Sequence, residues 1–151
     1  MIVNYIKGDI VKLYSEGKVI AHGCNCFHTM GAGVAGQLAS KFPVILSTDK
    51  AATDYADHKK LGTFSLALAL NGGACFNLYT QYEPGPNLDY GALVNAFQKM
   101  DKFLSGSLFK MDVYIPRIGA GIAGGDWEKI EALINMFTPN VDIIVVDWDG
   151  E

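Results

Sequence analysis

Two stretches of this sequence hold residue types that could do chemistry. HGCNCFHTMGAGVAG, from His22 to Gly36, sets two histidines, two cysteines and an asparagine directly ahead of a glycine-rich turn. IPRIGAGIAGG, from Ile115 to Gly125, nearly repeats that turn near the other end of the chain. An imidazole close to neutral pKa can take a phosphoryl group as nucleophile or move a proton to a leaving hydroxyl, which makes His22 a candidate for either task. GAGVAG at Gly31–Gly36 and GAGIAG at Gly119–Gly124 each fit GxGxxG, each after an expected strand and before an expected helix. Glycines there permit positive φ and close backbone approach, while a helix N-terminus adds partial positive charge, so each turn is a candidate anion cradle. Two cradles on one rim suit a diphosphate; two tight strand-to-helix turns are the other use of the same pattern. Neither window supplies the Gly-Lys-Ser/Thr of a terminal-phosphate loop. A dinucleotide fold fits less well, because Asn25 to Met30 separate the strand from Gly31 and no ribose-binding acid ends a strand about 20 residues on.

Cys24, Cys26 and Cys75 are odd in number, and their Cys-x-Cys pair matches neither a redox centre nor a zinc site. They read as reduced, partly buried thiols, with a reactive Cys24 or Cys26 as the alternative, although no local basic cluster would lower a thiol pKa. No His/Asp/Glu cluster has ligand spacing, so neither a metal nor a cofactor is implied.

The elements that must position these residues alternate between strand and helix. Ile2–Ile6, Val19–Ala21, Phe64–Leu70, Ala74–Tyr79, Met111–Ile115 and Val141–Val146 read as strands. Gly33–Phe42, a segment around Ser47–Lys60, Leu88–Leu104 and Asp126–Phe137 read as helices, with Asn87 and Asp126 as N-caps. Val19-Ile20-Ala21 and Ile143–Val146 are unbroken apolar runs, as in central strands covered on both faces. The expected fold class is therefore α/β, a three-layer α/β/α sandwich around a mixed, mostly parallel sheet of six strands, in one domain over residues 1–151.

Composition narrows the partners. Glycine makes up 17 of the 151 residues, about 11% against a usual value of roughly 7%. The formal charge is −4, which gives no basic footprint for general nucleic-acid binding. No apolar run is long enough to cross a bilayer, and MIVNYIKGDI lacks the basic stretch and apolar core of a signal peptide, so a cytoplasmic location is expected.

Gly8-Asp9-Ile10 after the first strand, HGCNCFHTMGAGVAGQLASKFP, IPRIGAGIAGGDW and a last strand ending in an aromatic, in that order, resemble the macro domain, a binder and processor of ADP-ribose. The resemblance covers nearly the whole chain and is strongest to the ADP-ribose 1″-phosphate phosphatase branch and to similar phage-encoded proteins. It implies that Asp9 accepts a hydrogen bond from the adenine amino group with the Ile10 backbone nearby; a turn or helix-cap aspartate is the plainer use of that position. It implies that Asn25 faces the distal ribose, an asparagine that holds the loop backbone together being the plainer use of that position, that Gly31, Ala32, Gly33 and Val34 form the first diphosphate loop, and that Ile118, Gly119, Ala120, Gly121, Ile122 and Ala123 form the second. Trp148 falls where many members hold an aromatic against adenine, or else is an edge tryptophan. His22 matches a histidine linked to activity in the yeast-type phosphatases; a buried, backbone-bonded histidine is the alternative.

The chain also departs from family patterns. Ala123 stands where lysine–aspartate ADP-ribosyl hydrolases need an acid, and Tyr79-Thr80-Gln81-Tyr82-Glu83 lacks their lysine. Cys24-Asn25-Cys26 and Gly31-Ala32-Gly33 likewise replace the double-asparagine, triple-glycine loop of other hydrolases. The implied function is hydrolysis of ADP-ribose 1″-phosphate to ADP-ribose, with His22 and Asn25 as catalytic candidates. The alternatives are a non-catalytic binder of ADP-ribose or an NAD-derived signalling nucleotide, and an ADP-ribosyl hydrolase. His28, Gln81 and the loop from Gln81 to Leu88 lie near the distal-ribose end.

Overall fold

The structure, a computed structural model, describes residues 1–150. Its elements run β1 (Ile2–Gly8), α1 (Ile10–Ser15), β2 (Val19–Cys24), α2 (Gly33–Lys41), α3 (Pro43–Ala52), a 3-10 turn (His58–Lys60), β3 (Phe64–Leu68), β4 (Ala74–Tyr79), α4 (Tyr90–Leu104), β5 (Asp112–Ile115), α5 (Trp127–Phe137) and β6 (Asp142–Trp148). The expected α/β sandwich is what forms. The sheet order is β1-β6-β5-β2-β4-β3, parallel except for the antiparallel edge pair β3–β4.

Local chemistry explains where the helices begin. Asp126 caps α5 by accepting from Glu128 N at 3.1 Å, as its position predicts. Asn87 does not cap α4: its Nδ2 donates to the Pro84 carbonyl, and Asp89 accepts from Ala92 N at 3.0 Å instead. The single helix expected around Ser47–Lys60 begins earlier, at Pro43, whose fixed φ suits a first helical turn. It stops at Ala52; Thr53 is extended and Ala56 has a φ of 56°, so only a 3-10 turn resumes. The short α1, capped by Asp9, is the helix the apolar pattern does not reveal.

Both faces of the sheet are covered. Leu93, Phe97 and Met100 of α4 and Ile130 and Ile134 of α5 pack on Phe76, Leu78, Val113, Ile115, Ile143 and Val145. On the other face Ile10 and Tyr14 of α1, Leu38 of α2 and Ile45 of α3 pack on Ile20, Cys75 and Tyr79. Each large apolar side chain so buried contributes about 1.5–3 kcal/mol.

This topology makes one opening. The chain leaving β2 turns to α2 on one face, and the chain leaving β5 turns to α5 on the other, so the two connections diverge above adjacent strands. The β2–β5 ladder is registered only at Ile20↔Tyr114. Two residues on, Pro116 follows β5 without an amide hydrogen and cannot extend the pairing.

Candidate functional site

Above that gap lies a cavity of about 630 Å³, walled by the β2–α2 loop, the β5–α5 loop and the segment after β4. The β2–α2 loop is braced from within. Asn25 donates through Nδ2 to the Thr29 carbonyl at 3.1 Å and to Thr29 Oγ1 at 2.9 Å, while its Oδ1 accepts from Phe27 N at 2.8 Å. The loop is also laced to its neighbours, with Cys26 N donating to Tyr82 O and Ala56 N to Cys26 O. Gly36 lets α2 close onto this turn, because a Cβ there would stand 3.0 Å from the Gly31 carbonyl carbon. Ala32, the N-cap of α2, offers no side-chain acceptor, so no cap takes up the first-turn amides of Gly33, Val34 and Ala35, residues that line the cavity.

The second loop is folded on itself by Ile118 N→Pro116 O at 2.8 Å, Gly124 N→Gly121 O at 3.0 Å and Gly125 N→Gly119 O at 2.7 Å. Gly125 has no room for a side chain: a Cβ would lie 2.3 Å from Leu88 Cδ2. Ile118, Gly119, Gly121, Ile122 and Ala123 line the cavity, whereas Ala120 does not and packs against the core beneath α5. Gly31, Ala32, Gly33 and Val34 line it from the opposite side, so the two glycine loops do face one another.

The end wall is the segment from Gln81 to Leu88, whose shape the sequence does not give. Gln81 and Leu88 form an isolated antiparallel bridge. The Gln81 side chain clamps the turn by donating to Glu83 O at 2.7 Å and Gly85 O at 2.9 Å, and Leu88 N donates to Ala123 O. Pro84 and Gly85 thereby become part of the cavity wall.

His22 lines the cavity but is only 1% exposed. Its Nε2 lies 2.6 Å from Asn77 Oδ1, and Cys24 Sγ is 3.6 Å from Nε2 and 3.9 Å from Nδ1. Burial lowers the His22 pKa, outweighing the Asn77 bond and the Asp49 charge that act the other way. The ring is therefore neutral at physiological pH. Burial drives the thiols in the opposite direction, Cys26 to about 11 and Cys24 and Cys75 well above their ordinary value, so a thiolate nucleophile has no support in the geometry.

Asp9, Ile10 and Trp148 lie beside the cavity, not in its lining. They meet at the carboxyl ends of β1 and β6, where Gly8 is in register with Trp148. Asp9 Oδ1 accepts from Val11 N at 2.9 Å as the cap of α1, Ile10 is buried, and Trp148 is 65% exposed. His28 is not in the cavity lining: its Nε2 is 3.0 Å from Thr53 Oγ1 and its ring sits against Tyr55. Thr29, Thr80 and Arg117 also line the cavity and are not found by sequence reasoning, although Arg117 lies inside the second motif. Arg117 is bidentate to Asp147, at 2.8 and 3.0 Å, which holds the Asp147 carboxyl below its ordinary pKa.

Against known proteins, no family model matches the chain. A protein of enterobacteria phage T4 described as an uncharacterized 17.5 kDa protein in the tk-vs intergenic region is 51% identical over 99% of this chain and 98% of its own. An ADP-ribose 1″-phosphate phosphatase of the yeast Scheffersomyces stipitis is 29% identical over 95% of this chain and 99% of its own. Among solved structures, a Bacteroides thetaiotaomicron protein of unknown function superposes with a TM-score of 0.83 at 27% identity, covering 97% of this chain and 98% of the other. A Streptomyces coelicolor macrodomain protein gives 0.73 at 24%, covering 97% and 99%. An Oceanobacillus iheyensis macrodomain mutant with ADPR gives 0.67 at 18%, covering 97% and 84%. With the paired glycine loops facing one another across the β2–β5 opening and macrodomain structures superposing along its length, the chain has the macrodomain fold.

Proposed function

We propose that the cavity takes the diphosphate and distal ribose of ADP-ribose 1″-phosphate and that the protein hydrolyses the terminal phosphate to give ADP-ribose. The observation that carries this reading is the pair of glycine loops closing on one cavity with a neutral histidine in its wall. The activity named for the yeast relatives supports the substrate. The first-turn amides of α2 and the amides of Ile118–Ala123 would hold the diphosphate, and the adenine would lie towards Asp9, the Ile10 backbone and Trp148. Asn25 would act by holding the loop that shapes the distal-ribose end. In the reaction, water attacks phosphorus as His22 accepts its proton. The bond from phosphorus to the C1″ oxygen breaks, and that oxygen receives the proton. Most of the rate enhancement would come from holding the ester against fixed backbone dipoles.

A second reading, a non-catalytic binder of ADP-ribose or an NAD-derived nucleotide, is favoured by the slight exposure of His22 and by the Cys24 thiol beside it. Removal of ADP-ribose from a modified acceptor has less to recommend it. Ala123 supplies no acid, and the Gln81 amide is spent on its own loop. One phosphorus NMR experiment with ADP-ribose 1″-phosphate separates the first two. Inorganic phosphate appearing with the native protein and not with His22→Gln supports the phosphatase; shifted substrate signals without phosphate release support the binder.

A further inference from the structure

The cavity-facing histidine is the end of a longer buried assembly. Asn77 on β4, Ser65 on β3, Tyr79 on β4, Asp49 on α3 and Lys60 of the 3-10 turn are each at most 5% exposed, in a layer otherwise filled by apolar side chains. Among the described residues no buried side-chain nitrogen or oxygen lacks a partner, so every hydrogen in this assembly can be placed.

Asn77 Nδ2 lies 3.2 Å from the Ile45 carbonyl, which can only accept, and this fixes which end of the amide is nitrogen. The same Nδ2 donates to Ser65 Oγ at 3.1 Å. Asn77 Oδ1 is then the atom 2.6 Å from His22 Nε2; a carbonyl oxygen cannot donate, so Nε2 carries the hydrogen. At the far end Tyr79 gives its hydroxyl hydrogen to Asp49 Oδ1 at 2.6 Å, which obliges Ser65, 2.7 Å away, to donate to the Tyr79 oxygen. Asp49 is balanced by Lys60 Nζ at 3.3 Å. All the hydrogen bonds between His22 and Asp49 therefore point the same way, towards the carboxylate.

We infer that this one-way chain, anchored on the buried Asp49–Lys60 pair, locks His22 as the Nε2–H tautomer and makes Nδ1 the nitrogen with the lone pair, with Asn77 as the positioning residue. The functional part of this inference, that Nδ1 is the atom accepting the proton from water, rests on the phosphatase reading above. The groups acting on the imidazole are Cys24 from its own strand, Asn77 from β4, and the charge of Asp49 on α3. The Asp49 charge is itself balanced by Lys60, so the tautomer is set by the amide contact.

The test starts with the native protein and no substrate. Long-range nitrogen–proton spectra of histidine-labelled protein at neutral pH report which ring nitrogen is protonated, with His22 assigned by the signal missing in His22→Gln. We expect a protonated Nε2 and a bare Nδ1 for His22. In folded Asn77→Leu that pattern should give way to a mixture or to Nδ1–H. In Asn77→Asp a carboxylate at the same contact should raise the titration midpoint of the ring by about 1–3 pH units. A native Nδ1–H tautomer, or an unchanged spectrum in Asn77→Leu, overturns the inference. The expected spectra in a protein that releases no phosphate would refute the phosphatase reading and still uphold the role of Asn77 in fixing the ring.

Discussion

Gly31 and Gly33 stand two residues apart on the same wall of the cavity, and replacing each by alanine should have unequal consequences. Gly33 has a φ of +60°, and a Cβ built there would be 3.3 Å from Ile122 Cδ1 on the facing loop. Gly31 has no left-handed φ and nothing within 4 Å of an added Cβ. Left-handed backbone costs a non-glycine residue about 1–2 kcal/mol, so Gly33→Ala should lose roughly that much stability. With a urea slope of about 2 kcal/mol per molar, the unfolding midpoint should fall by roughly 0.5–1 M. Gly31→Ala should stay within about 0.5 kcal/mol of the native protein. Because the new methyl of Gly33→Ala projects towards Ile122, between the two loops, it should also weaken ADP-ribose by about tenfold or more, as a misplaced contact of about 1.4 kcal/mol would. Urea unfolding and calorimetric titration on both variants read the two effects separately. Equal midpoints would refute the strain at Gly33, and an ADP-ribose affinity reduced more by Gly31→Ala than by Gly33→Ala would refute the gap between these loops as the diphosphate seat.

Lys60→Met should cost about 3–5 kcal/mol by stranding the Asp49 carboxylate in the core, and the Asp49→Leu, Lys60→Met double variant should recover part of it; urea unfolding of the pair would disprove this if the losses simply add. Because burial holds the folded-state pKa of His22 below its unfolded value near 6.5, the unfolded chain binds the extra proton first, and stability should fall as pH drops below about 6.5 by up to about 1.4 kcal/mol per pH unit. That slope should be shallower in His22→Gln, and identical pH profiles would show that the histidine is not the titrating group. Trp148→Ala should weaken ADP-ribose by roughly 1–3 kcal/mol, the worth of one stacked base; unchanged affinity would move the adenine elsewhere. With Cys26 pushed up to about 11 and the other two thiols higher still, a thiol reagent at mildly alkaline pH should label the native protein far more slowly than the unfolded one, and rapid labelling of Cys24 would reopen a thiolate mechanism.

The layers of this fold were legible because they rest on local signals: unbroken apolar runs for Val19–Ala21 and Ile143–Val146, and an aspartate ahead of α5. Errors arose where two local signals compete. Asn87 and Asp89 can both cap a helix, and only the loop that consumes the Asn87 amide decides between them. The glycine loops were legible as strand-to-helix turns, since their spacing permits the positive φ found at Gly33, Gly119 and Gly124 and the close approach found at Gly36 and Gly125. The wall from Gln81 to Leu88 was not, because it is held by Gln81 bonding to backbone carbonyls and by Leu88 reaching Ala123. The assembly behind His22 was invisible for a related reason. Asn77, Ser65, Tyr79, Asp49 and Lys60 come from four elements, and nothing in their separate neighbourhoods in the sequence marks them as one unit.

The single registered pair between β2 and β5 makes that junction the sheet's shortest ladder, a seam between β1-β6-β5 and β2-β4-β3. A molecule resting on both glycine loops would fasten one side to the other. Its binding energy would appear as resistance of that seam to opening, and the amides most slowed in hydrogen exchange would then lie along β2 and β5 and in the loops that leave them, with the outer edges β1 and β3 little changed.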